Sequence, residues 1–173
     1  EAEGFSKLYP EIRLICQSPQ IDDQERAYFL QQFDHPDSSP ALLGFAVLGG
    51  IYSEGVDLKG EKLLGTAIIG TGLPKVGTEQ ESLRDYYQQK NNQGYDFAYR
   101  YPGMNKVLQA AGRVIRGQND RGVVLLLDDR FSTPAYLRLF PEHWHHARIV
   151  YDNDGVSKIL HDFWSESSDQ STK

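Results

Sequence analysis

Residues 103–131 read GMNKVLQAAGRVIRGQNDRGVVLLLDDRF, and their pattern decides the fold. At about 100° per residue, Met104, Leu108, Ala111 and Ile115 fall on one side of a helix. Gln109, Arg113 and Arg116 fall on the opposite side, within about 60° of one another. Gly117-Gln118-Asn119-Asp120 supplies stop and turn chemistry. Gly122 to Leu127 is a continuous β-branched and apolar run, the pattern of a strand buried on both faces. A helix that docks one apolar side, presents a glutamine and two arginines on the other, and feeds a buried strand is a unit of an α/β sheet. Gly112 is expected inside that helix, where it costs roughly 1 kcal/mol relative to Ala. That cost is understandable where something approaches the backbone closely.

Working outward, Glu11–Gln17 (EIRLICQ), Ala41–Leu48 (ALLGFAVL) and Leu63–Ile69 (LLGTAII) read as further strands. Asp22 or Asp23 caps a helix to about Phe33. Thr78 with Glu81 forms a capping box for a helix to about Lys90. Thr133 caps a helix with Pro134 at its first position. Arg148–Tyr151 reads as a short edge strand, and Asp154 as the cap of a final helix through about Trp164. Tyr95, Phe97, Tyr99 and Tyr101 form an aromatic cluster ahead of the central helix. They serve a core, or alternatively a stacking platform for bases. His143, His145 and His146 do not form a metal set. Adjacent histidines cannot share one helix face, and no fourth ligand is spaced to join them. The strand–helix alternation predicts a mostly parallel sheet of about four or five strands with helices on both faces.

Two loops stand out. Gly49-Gly50-Ile51-Tyr52-Ser53-Glu54-Gly55-Val56-Asp57 follows the second strand with three glycines, a hydroxyl and two carboxylates. Gly70-Thr71-Gly72-Leu73-Pro74 follows the third. Strand-to-loop junctions at the C-terminal edge of a parallel sheet are where open α/β folds bind ligands.

These segments carry a family resemblance. Gln109-Ala-Ala-Gly-Arg-Val-Ile-Arg116 resembles motif VI of superfamily-two helicases in the form of the DinG/XPD branch. Asp128-Asp129-Arg130-Phe131 matches the Asp-x-Arg-Phe that ends the next strand in that branch. Ser53-Glu54-Gly55-Val56-Asp57 resembles its motif V, and Gly72-Leu73-Pro74 the element that follows. The resemblance covers about Gln17 to His146. It implies a RecA-like (P-loop NTPase-type) α/β fold, with 1–165 as the C-terminal motor domain of a DNA helicase and 166–173 as a polar tail.

What the resemblance implies for the site can be stated by residue. ATP with Mg2+ is the cofactor, at a site completed by an N-terminal RecA-like domain of the same protein. Arg116 and Arg113 are the candidates for stabilising charge on the γ-phosphoryl oxygens. Gln109 binds a phosphate or positions the attacking water. Gly55 and Asp57 join these three at the nucleotide, Asp57 toward a ribose hydroxyl or an arginine. Ser53, Gln17 and Ser18 contact the phosphates of single-stranded DNA. The direction of travel, by resemblance alone, is 5′ to 3′, and DNA repair is the expected setting.

Composition bounds these expectations. The chain has 173 residues, 39% hydrophobic and 24% charged, enough for one domain with a sizeable core. It begins with Glu1, as a fragment or processed product would. It contains no Gly-Lys-Thr phosphate loop and no Asp-Glu-Ala-His box. The first motor domain is therefore expected outside this chain, along with the first strand of the second. No apolar run approaches the ~20 residues of a membrane span. One cysteine, Cys16, fits a reducing, cytoplasmic setting and is too few for a four-cysteine iron–sulfur site. An iron–sulfur cluster elsewhere in the full-length protein stays open. The net charge of −6 argues against strong, stand-alone binding of nucleic acid. The alternative is a non-enzymatic interaction module on a RecA-like fold. A nucleotide-binding metabolic enzyme would need a G-x-G-x-x-G after a strand, and none occurs.

Overall fold

The computed structural model describes residues 2–18, 22–34, 41–53, 58, 62–115 and 120–165. They form two compact units, Glu1–Phe131 and Ser132–Lys173.

The first unit is built on two parallel strand pairs. β1 (Ile12–Cys16) pairs with β2 (Ala41–Phe45), aligning Leu14 with Leu43 and Cys16 with Phe45. β3 (Gly65–Ile69) pairs with β4 (Val123–Leu127), aligning Ile68 with Leu126. Four of the five strands expected from the sequence are present. Among the described residues they hydrogen-bond as two pairs and not as one continuous sheet.

Each pair is covered through a helix. A short helix, α1 (Ala2–Leu8), precedes β1 and has no counterpart in the sequence reading. α2 (Asp23–Gln31) starts where Asp22 accepts the Glu25 N–H at 2.8 Å, the expected N-cap. Phe29 and Phe33 lie over Gly44 of β2, where a Cβ would meet the Phe33 ring tip at 2.8 Å. Phe29 also packs on Tyr52, with centroids 4.4 Å apart.

α3 (Thr78–Asn91) begins one residue earlier than a capping box at Thr78 requires. Gly77 is the cap, with no side-chain bond, and Thr78 is the first helical residue. Glu81 instead accepts from the Tyr99 hydroxyl. The chain returns through a π-helical turn, Asp96–Arg100, into α4 (Tyr101–Ala111). Phe97 stacks on Tyr87 at 4.1 Å, and Ala98 and Tyr99 are buried. The aromatic cluster therefore serves mainly as core, although Tyr95 stays 43% exposed.

α4 is shorter than its sequence suggests. It ends at Ala111 with Gly112 as C-cap, φ −66° and ψ −2°. Gly112 is exposed, and a Cβ there would meet only carbonyls of its own helix. Within the described residues no other element approaches Gly112. Arg113 and Val114 follow in a tight turn, bonding back to Ala110 and Ala111. The change of geometry moves the apolar stripe. Met104, Val107, Ala111 and Val114 are buried, whereas Ile115, expected in the core, is 47% exposed. α4 packs on β3, burying Ile68 and leaving its neighbour Ile69 exposed on the other face. β4 is correspondingly half-buried, with Leu127 exposed, and not enclosed on both faces.

The second unit holds α5 (Pro134–Leu137), a 3-10 turn at Glu142–Trp144 and α6 (Asn153–Ser165). Thr133 precedes Pro134 as expected, without a side-chain capping bond. Phe140 meets Trp144 edge-on at 5.2 Å. Residues 148–151, expected as an edge strand, form no strand. α6 is capped by Asp152, not Asp154: the Asp152 carboxylate accepts the Gly155 N–H at 2.7 Å. That choice follows from chain geometry, because a cap must lie outside the helix and Asp154 lies within it. Among the described residues, no helix is long and apolar enough to cross a membrane, and no group of His, Cys, Asp or Glu is arranged to hold a metal.

Candidate functional site

The candidate site lies at the C-terminal ends of β1, β2 and β3, where loops meet the first turns of α4. Gln17 continues β1 by donating its backbone N–H to Phe45 at 2.7 Å. Its side-chain Oε1 accepts the Val47 N–H at 2.8 Å. One glutamine thus clamps the exit of β1 to the exit of β2. The clamp occupies the amide oxygen and leaves the Nε2 donors beside Gly50, 3.7 Å from where its Cβ would stand. Ser18 follows, half-buried.

Beyond Val47 the chain turns sharply. Gly50 donates to the Val47 carbonyl at 2.9 Å, and Gly49 has φ +76°, a conformation that favours glycine. A 3-10 turn, Ile51–Ser53, follows. Ser53 lies in it by its backbone. Glu54–Asp57, and so Gly55 and Asp57, lie outside the described residues, as does Arg116.

The loop after β3 is bound into the same region. Gly70 donates to Leu127 at 3.2 Å, tying the ends of β3 and β4. Gly72 and Gly103 meet backbone to backbone. A Cβ on Gly103 would stand 2.5 Å from the Thr71 carbonyl oxygen, and one on Gly72 would stand 2.8 Å from the Gly103 oxygen and 3.2 Å from Leu48. Thr71 is buried between them. One turn on, the Lys106 stem crosses Gly49, 2.6 Å from where a Cβ would be. α4 therefore braces both loops, at Gly103 and at Lys106.

Of the predicted polar face, this helix carries Gln109. Gln109, one turn past Lys106, is exposed. Arg113 is half-buried in the terminal turn and not on the helix itself. The structure therefore brings Gln17 together with the loop that leads to Ser53. It places Gln109 and Arg113 at the other end of the helix that braces this loop.

Two residues with no assigned role in the sequence reading join the site. Arg130 grips Asp128 in a two-pronged ion pair, Nε to Oδ1 at 2.8 Å and Nη2 to Oδ2 at 2.7 Å. The Arg130 hydrogen bond holds the Asp128 carboxyl below its ordinary pKa. This pair follows β4 directly and fixes the first residues past the strand. The matching Asp-x-Arg-Phe signature was its signal. Lys106 is the other, and its only sequence signal is its place one turn before Gln109.

A family described as Helicase C-terminal domain matches residues 3–147. The chain belongs to this helicase family. It is a helicase C-terminal domain of the DinG/XPD type. Similar relatives agree. The general transcription and DNA repair factor IIH helicase subunit XPD of Dictyostelium discoideum is 33% identical over 119 residues, 64% of this chain and 15% of the relative. The regulator of telomere elongation helicase 1 homolog of Caenorhabditis elegans is 24% identical over 173 residues, 95% of this chain and 17% of the relative. A solved structure of XPD in its apo form matches with a TM-score of 0.57 at 22% identity, over 72% of this chain and 25% of that one. This likeness identifies the helicase domain's fold as RecA-like α/β. The helicase domain spans about a sixth of its curated relatives' length.

Proposed function

We infer that this helicase domain is the second motor domain of an ATP-dependent DNA helicase, working against an N-terminal RecA-like domain across a shared ATP site. The observation that carries this is the bracing of both strand-exit loops by α4, the helix that carries Gln109 and leads into Arg113. A shift of the nucleotide-facing end of α4 is thereby transmitted to the loop expected to grip DNA. In this scheme Arg113 and Arg116 stabilise charge on the transferred phosphoryl group, and Gln109 orients a phosphate or the attacking water. Gly55 and Asp57 complete the nucleotide side. Gln17, Ser18 and Ser53 hold phosphates of a single strand, giving grip without sequence preference. ATP with Mg2+ closes the cleft and hydrolysis opens it.

Two expected results test this reading. The chain alone lacks a phosphate loop, so purified 1–173 should fold and release no phosphate from ATP, with or without single-stranded DNA. DNA-stimulated turnover by 1–173 would overturn the shared site. Because the net charge is −6, binding of a labelled oligonucleotide to 1–173 should be weak and fall steeply with salt. Fluorescence anisotropy across a salt series measures it, and tight, salt-resistant binding would contradict a groove completed by a second domain.

A further inference from the structure

We propose that Lys106 is a phosphate-binding residue, acting with the Gln17 amide at the loop after β2. This rests on the motor reading above and adds to it a cation that no motif names. Three observations carry it. The Lys106 stem lies across Gly49, with Cδ and Cε 2.6 and 3.0 Å from where a Cβ would stand, so the side chain is laid along the loop and directed by it. A positive φ of 76° makes any side chain at Gly49 strained, so the track for this stem is kept open. No carboxylate of the described residues pairs with the Lys106 ammonium.

The neighbouring group fits the same ligand. Gln17 spends its amide oxygen on Val47, which turns its Nε2 donors toward Gly50, the residue after Gly49. An ammonium and an amide donor on two adjacent glycines suit a phosphate oxyanion, with the cation supplying charge and the amide direction. Gln109 lies one turn along the same side of α4, so the phosphate belongs either to the DNA strand or to the nucleotide.

The test is made in the full-length protein. Lys106→Met keeps the stem that packs on Gly49 and removes the charge, whereas Lys106→Arg keeps a charge. Dissociation constants for single-stranded DNA over a salt series and the KM for ATP are measured on each. A DNA phosphate predicts that Lys106→Met weakens DNA binding about fivefold to tenfold and flattens the log–log salt slope by about 0.7, with KM unmoved. A nucleotide phosphate predicts a comparable rise in KM with DNA affinity unmoved. In either case Lys106→Arg stays near wild type. Normal DNA-stimulated turnover with both constants unmoved in Lys106→Met overturns the assignment and leaves the motor reading standing. Equal losses in Met and Arg variants also overturn it, by placing the role in packing. Absence of DNA-stimulated turnover in the wild-type protein overturns the motor reading and this assignment with it.

Discussion

Replacing Gly103 with alanine is expected to destabilise the protein by about 1–3 kcal/mol, although Gly103 lies within a helix. Helix propensity alone favours the change by about 1 kcal/mol. The opposing effect is steric. The new Cβ would stand 2.5 Å from the Thr71 carbonyl oxygen and 3.2 Å from backbone atoms of Gly72 and Leu73. These are main-chain atoms of a loop whose two glycines already have positive φ, so relief requires moving the loop or the helix. Overpacking against backbone outweighs propensity. Gly112→Ala is the matched control. It sits in right-handed geometry at the end of the same helix, exposed, and is expected within about 0.5 kcal/mol of the parent. Denaturant midpoints of the two variants compare them directly, and a Gly103→Ala protein as stable as the parent would remove the bracing of the β3 loop by α4.

That pair of glycines also shows what the sequence could carry. Periodicity found all four strands of the first unit and placed Met104 and Ala111 on the buried side of α4. It could not locate the end of α4, because Arg113, Val114 and Ile115 continue the helical pattern while Gly112 breaks the hydrogen-bond ladder. So periodicity assigns Ile115 to the core, where the structure buries Val114, and the close backbone contact at Gly103 has no sequence signal. The β4 run Val123–Leu127 is apolar throughout, and such a run cannot report that one face of the β3–β4 pair is left half-open. Caps were ambiguous for a similar reason. Asp152 and Asp154 are equally good capping residues, and only the chain direction ahead of α6 selects Asp152. A signature carries the candidate roles of Gln109 and Arg113 and the match at Asp128–Phe131. Gln17 is a candidate by position alone. Lys106 carries no signature, and its place across the loop is seen only in the structure.

Loss of either arginine is expected to have the larger effect on chemistry. Arg113 is half-buried in the turn after α4, and Arg116, outside the described residues, is assigned through the motif it completes. An arginine that stabilises the phosphoryl-transfer transition state contributes on the order of 10³ or more in rate. Lysine should restore little, because a point charge lacks the planar, forked donor set. If the arginines were merely solvated, alanine would change stability by no more than ~0.5 kcal/mol and leave turnover near normal. The half-burial of Arg113 adds a modest packing loss to that variant and none of the kinetic effect.

The most direct measurement is therefore DNA-stimulated ATP turnover by the full-length protein with Arg113→Ala and with Arg116→Ala, with DNA affinity and melting temperature taken on the same preparations. The motor reading predicts turnover reduced by about 10³ or more in both variants while DNA affinity stays near wild type and melting shifts little. Near-normal turnover in both variants would contradict it.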